Sequence, residues 1–157
     1  MKKIISLLLV AIVAVAMLAG CSGGAKPTDT ADVKGETFEG GNVSALVPDG
    51  WMGFHGADYF GDYEEGYDPN VIQIAKGAKS EIDMLSKPYL MINFYADANA
   101  FSSSKSFYAD AKDIEPIELG NYSWTGFTVE NAGYPTAVLE ATDGTITIQV
   151  TAILENG

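Results

Sequence analysis

The sequence has no arginine, one cysteine and one histidine in 157 residues. Its 9 basic residues are all lysine, against 21 acids, for a formal net charge of −12. Each shortage excludes something. One Cys cannot close a disulfide within the chain. One Cys and one His cannot complete a zinc cage of four such ligands. Nucleic acid needs a basic face, and a pI near 4.2 argues against one. Without Arg there is no bidentate guanidinium fork for phosphate or carboxylate ligands. The chain also lacks G-x-S-x-G, a phosphate-binding P-loop and a dinucleotide fingerprint.

The first twenty residues differ in kind from the rest. Lys2 and Lys3 precede an apolar run from Ile4 to Ala16, broken only by Ser6, and then Leu18-Ala19-Gly20-Cys21. A positive start, a short apolar middle and small residues before a cut describe a secretory signal. The run is marginal for a membrane span, which takes about 20 residues. Two of the nine Lys and none of the acids lie in residues 1–20, so removing them leaves 7 Lys against 21 acids, or −14.

Leu18-Ala19-Gly20-Cys21 resembles the lipobox of bacterial lipoproteins. The resemblance implies diacylglycerol on the Cys21 thiol, cleavage before Cys21 and often acylation, as by palmitate, of the new amino terminus. It implies a lipid-anchored protein on the extracytoplasmic face of the cell membrane. The plainer reading is an ordinary cleaved signal with a chance Cys. Two or three acyl chains anchor stably where one is marginal. Residues 22–32 hold no large apolar side chain, and 21–35 read as the lipidated Cys and a flexible tether, with residues 36–157 as one domain.

Alternation predicts strands at 43–47, 71–74, 89–95, 122–129, 136–141 and 145–151. The run 89–95 reads as a central strand buried on both faces, and Asp143-Gly144 as a hairpin turn. Helical signal is thin: short helices are predicted at 80–85 and 103–112. The expected class is α+β, a mostly antiparallel sheet with one or two short helices. Val47-Pro48-Asp49-Gly50-Trp51 resembles the opening of PsbP-like and Mog1-like domains. That resemblance implies a central antiparallel sheet flanked by helices, with the Trp packed on it and a helix expected beyond residue 157. Asn156-Gly157 is a hairpin signal that leads nowhere, which suggests a longer natural chain.

The densest polar feature is 58–68. Asp58, Asp62, Glu64, Glu65 and Asp68 place five carboxylates within eleven residues. Carboxylates that converge repel unless a cation neutralises them, and Ca²⁺ takes six to eight oxygens. The spacing departs from the EF-hand pattern, and a solvated acidic loop is the plainer reading. Tyr59, Tyr63 and Tyr67 among these acids suit a groove for sugars or cationic groups, or simply core packing. His55, alone among its kind, is a candidate base without a motif around it. The reading that follows is a non-catalytic binding or interaction module of the cell envelope, whose partner is an envelope protein or small ligand. Its alternatives are a carboxylate- or His55-assisted hydrolase and a Ca²⁺-binding module on the 58–68 loop.

Overall fold

The computed structural model describes residues 33–119 and 122–153. The signal, Cys21, most of the tether and Asn156-Gly157 lie outside the described residues. Nine strands are described: β1 (Gly35–Glu39), β2 (Ser44–Pro48), β3 (Trp51–Ala57), β4 (Tyr67–Lys76), β5 (Tyr89–Tyr95), β6 (Lys112–Leu119), β7 (Tyr122–Asn131), β8 (Tyr134–Thr142) and β9 (Thr147–Ile153). The hairpin β1–β2 stands apart from a seven-stranded antiparallel sheet of order β3-β4-β5-β9-β8-β7-β6. The chain builds β3 to β5 as a meander from one edge. It then crosses to the other edge and returns through β6, β7 and β8 until β9 pairs with β5.

Alternation decides which side chains meet. Ile72, Ile74, Leu90, Ile92, Ile148, Val150, Leu139 and Trp124 share one face and form the main core. The β1–β2 hairpin covers this face over β3 and β4, bringing Val43 and Ala45 into the same cluster. Its close approach needs Gly53, since a Cβ there would lie 2.8 Å from the Phe38 ring. The opposite face has a smaller apolar cluster, Phe127, Val129 and Val138 with Tyr108 and Ala111.

The crossover, residues 96–111, runs over this second face. Ala98 N–H donates to the Thr145 carbonyl at 2.8 Å, and the Tyr108 ring lies 6.0 Å from that of Phe127. The expected helix at 103–112 is only a 3-10 turn, Ser104–Phe107, and the one at 80–85 is a 3-10 helix, Glu81–Leu85. A third 3-10 turn spans Ala98–Ala100. A segment this short cannot offset the cost of helix nucleation by itself, and the chain must stay extended to reach the far edge. β5 also departs from expectation. Leu90 and Ile92 are buried, but Met91, Asn93 and Tyr95 on the second face are only half-buried. The Asp143-Gly144 turn is longer than a two-residue hairpin, since β8 ends at Thr142 and β9 starts at Thr147.

β6 has no counterpart in the predicted strands. Its sequence, Lys-Asp-Ile-Glu-Pro-Ile-Glu-Leu, lacks clean alternation because the register shifts between Ile114 and Ile117. Proline is tolerated in a sheet at such a bulge on an edge strand. No helix among the described residues is long and apolar enough to cross a membrane.

Candidate functional site

The second face carries a row of polar residues across the middle of the sheet. Register places Asn93 beside Gln149, Gln149 beside Glu140 and Glu140 beside Thr125, on β5, β9, β8 and β7 in turn. Gln149 is buried and Glu140 half-buried. Polar groups so placed need partners, and these are supplied. Glu140 Oε1 accepts from Ser103 Oγ at 2.9 Å and from Gln149 Nε2 at 3.2 Å. Ser103 belongs to the crossover. Its hydroxyl also accepts from Lys105 N–H at 3.3 Å, capping the 3-10 turn. One serine thus starts the turn and holds the carboxylate below it.

At the Glu140–Thr125 end of this row, toward the β6 edge, lies an open cleft of about 430 Å³, lined by Ser103, Lys105, Asp113, Glu115, Thr125 and Glu140 among others. Its size falls within the range of small-molecule sites. The Lys105 ammonium pairs with Asp113, tying the crossover to β6. The β6 bulge puts Glu115 and Pro116 at the rim. Three carboxylates against one ammonium leave the lining net negative. Tyr95 stands near Glu140; burial first, then that negative charge, pushes its hydroxyl pKa up. Phe101 from the crossover meets the Tyr95 ring edge-on at 4.9 Å. An amine or hydroxyl entering the cleft would meet an oriented, half-buried carboxylate, and partial burial strengthens such a contact.

The acidic loop 58–68 lies elsewhere, joining β3 to β4 at the end of the sheet reached by Ala57 and Tyr67. Its acids do not converge. Asp58 accepts backbone N–H bonds from Gly61, Asp62 and Tyr63 at 2.9 to 3.1 Å. Desolvation raises the Asp58 pKa, but backbone N–H groups together outweigh it and the balance is below the ordinary value. Asp68 accepts from the backbone and side-chain nitrogens of Asn70. Asp62, Glu64 and Glu65 are exposed. Among the described residues no group of three His, Cys, Asp or Glu is placed to hold a metal ion.

The three tyrosines also separate. Tyr59 is 85% exposed, beside Phe60 at 88%. Tyr63 accepts a hydrogen bond from Asn70 Nδ2 at 3.0 Å, and desolvation followed by the Asp68 charge raises its pKa. Tyr67 stacks on His55 with ring centroids 3.9 Å apart, and Phe38 lies 4.8 Å from His55 on another side. His55 Nδ1 is buried without a hydrogen bond. His55 sits on the hairpin-covered face of β3, whereas Glu140 is four strand spacings away, about 19 Å, on the other face. The structure does not bring those two together.

Sequence reasoning missed Glu140, Gln149, Asn93 and Ser103. For Glu140, Gln149 and Asn93 the signal was a polar residue interrupting an apolar run, as in Ile148-Gln149-Val150; Ser103, within Ser102-Ser103-Ser104, gave none. Compared with protein families, curated proteins and solved structures, the chain shows no match.

Proposed function

We propose that this chain is a lipid-anchored, extracytoplasmic binding module of the cell envelope, which takes a small amine-bearing ligand in the cleft over Glu140. The observation that carries the binding role is the Glu140 carboxylate, held by Ser103 and Gln149 in a net-negative cleft between the crossover and strands β6 to β8. Leu18-Ala19-Gly20-Cys21 supports the anchor. A kinship with PsbP-like and Mog1-like domains rests on the Pro48-Asp49-Gly50-Trp51 turn, whose indole packs against the main core.

The binding role is tested by thermal melts with millimolar spermidine or ethanolamine against NaCl of equal ionic strength. A ligand that binds only the folded state raises the melting temperature. The amine is expected to raise it, and Glu140→Gln to remove that rise while the fold persists. An equal rise in Glu140→Gln would place the binding elsewhere, and no rise with either amine would end the amine assignment. The anchor is tested by palmitate labelling in cells: Cys21→Ala should abolish it, and label that persists in the variant rules Cys21 out.

A further inference from the structure

One end of the sheet combines exposed apolar side chains, lysines and the point where the chain enters the fold. The loop joining β4 to β5 lies there. Its 3-10 helix, Glu81–Leu85, carries Ile82 and Leu85, which are 72% and 83% exposed. Residues three apart in a 3-10 helix are eclipsed, so the two side chains project together. Lys34, at the entry of the fold, accepts from Asp49 N–H at 2.9 Å through its carbonyl. Gly50, next in the same turn, accepts from Gly77 N–H at 2.8 Å. The incoming chain, the 49–50 turn and the 77–88 loop are therefore neighbours.

Charge is divided between the two ends. Lys34, Lys76, Lys79 and Lys87, four of the six lysines among the described residues, belong to this end. Within the 76–88 stretch three lysines stand against Glu81 and Asp83. The Asp83 carboxylate is occupied by the N–H groups of Lys79 and Ser80. With Asp49 and Glu36 nearby, four lysines meet four acids at this end, which is near neutral where the rest of the described chain is strongly acidic. The five acids of the 58–68 loop sit at the opposite end, because Trp51 pairs with Lys76 and Ala57 with Tyr67. The other large exposed apolar pair, Tyr59 and Phe60, lies among those acids and has no lysine near it in sequence.

We propose that the 77–88 end docks on a lipid surface bearing anionic headgroups. Ile82 and Leu85 enter the boundary between headgroups and acyl chains, and Lys34, Lys79 and Lys87 lie over the phosphates. The inference rests on the anchor at Cys21. Twelve residues lie between Cys21 and Lys34, thirteen steps along the chain, a reach of about 45 Å fully extended. Two apolar side chains and a few lysines would hold a free protein only weakly. On a tethered one, effective concentration makes so weak a contact count. The acidic loop would be repelled, so the domain would stand with its strands rising from the membrane.

The test uses the chain from Cys21 onward, since the core described above involves no residue before Phe38. A maleimide lipid on Cys21, the only thiol, tethers it to phosphatidylcholine vesicles with or without a quarter of phosphatidylglycerol. Hydrogen exchange is followed by mass spectrometry. Amides of 77–88 should exchange at least about threefold more slowly on the anionic vesicles than in solution, and those of 58–66 should not change. The protection should weaken on phosphatidylcholine alone. An Ile82→Ser, Leu85→Ser double variant should stay tethered and lose it. Equal protection at both ends, none at 77–88, or protection unaffected by the double variant would each overturn the proposal. The anchor is attached chemically, so failure of palmitate labelling in cells would leave this result readable.

Discussion

Glu140 and His55 show how one side chain's neighbours decide its role. Glu140 is half-buried and has two donors on one oxygen. His55 is packed by Phe38 and Tyr67 and leaves a buried nitrogen unpaired. His55 therefore behaves as an aromatic filler with an uncompensated polar atom. Replacing such a group by an apolar one of similar shape is close to neutral. His55→Phe should change unfolding free energy in urea by less than about 1 kcal/mol, and in the stabilising direction if either. It should leave any amine-induced melting shift intact. A loss above about 2 kcal/mol would mean that the imidazole has a polar role. Trp124 also has a buried, unpaired nitrogen, but its bulk fills the main core. Trp124→Ala should cost about 3 to 5 kcal/mol, read from the same urea transition. The contrast explains why the site was hard to read. His55 and the acids of 58–68 stand out in the sequence because they are rare or contiguous. Glu140 and Gln149 read as outward residues of their own strands, and Asn93 as one polar residue in a strand read as buried on both faces. Only the strand order β5-β9-β8-β7, which no local pattern encodes, sets them side by side.

Among the elements, the turns depend on aspartate. Asp143 accepts from Thr145 and Ile146 N–H at 2.8 and 2.9 Å, and Asp58 and Asp83 do the same for their own turns. Backbone donors hold the Asp143 carboxyl below the ordinary value, first Ile146 and then Thr145; Lys79 N–H is the leading cause for Asp83. A carboxyl lowered in the folded state adds stability that is fully present above its unfolded value and is lost as pH falls through its folded one. Melting temperature should therefore be level above about pH 5 and drop below the ordinary value near 3.8. Asp143→Asn should make that drop shallower; an unchanged acid limb would show that the turn bonds do not persist in solution. Because Asp58 is already engaged by backbone donors, millimolar Ca²⁺ should raise the melting temperature no more than NaCl of equal ionic strength. The elements were legible where one face is buried. The alternation of Ile148 and Val150 matches the core side of β9, with Ile146 just before the strand packed on the same core, and the strands at 71–74, 122–129 and 136–141 fall within β4, β7 and β8. β6 was not legible because its bulge and Pro116 break the period. β1 was not because four of its five residues are exposed. Gly53 lies on the interface that β1 makes with β3. Gly53→Ala should push on Phe38 and cost about 1 to 3 kcal/mol, seen as an earlier urea midpoint.

Over the whole molecule, 18 acids face 6 lysines among the described residues, and the lysines are unevenly spread, four at the 77–88 end and none in the 58–68 loop. Such an excess repels itself in the compact state. The repulsion is not uniform. It is greatest around the 58–68 loop, where Asp62, Glu64 and Glu65 are exposed with no hydrogen bond to their carboxylates described. It is least at the 77–88 end, where lysines stand among the acids. Salt screens exposed charges beyond about 10 Å at 0.1 M. Raising NaCl from about 10 to about 150 mM should thus raise the melting temperature by a few degrees. A double variant Glu64→Gln, Glu65→Gln removes charge from the crowded end. It should melt higher than the parent at low salt and respond less to added NaCl. Lys79→Gln with Lys87→Gln removes the compensating sign from the other end, and should melt lower at low salt and respond more. Glu64, Glu65 and Lys79 are exposed and Lys87 half-buried, so charge rather than core packing is what both pairs change. If the two variants shift in the same direction, charge segregation is not what limits stability at low salt, and the excess of acids is tolerated locally within each turn.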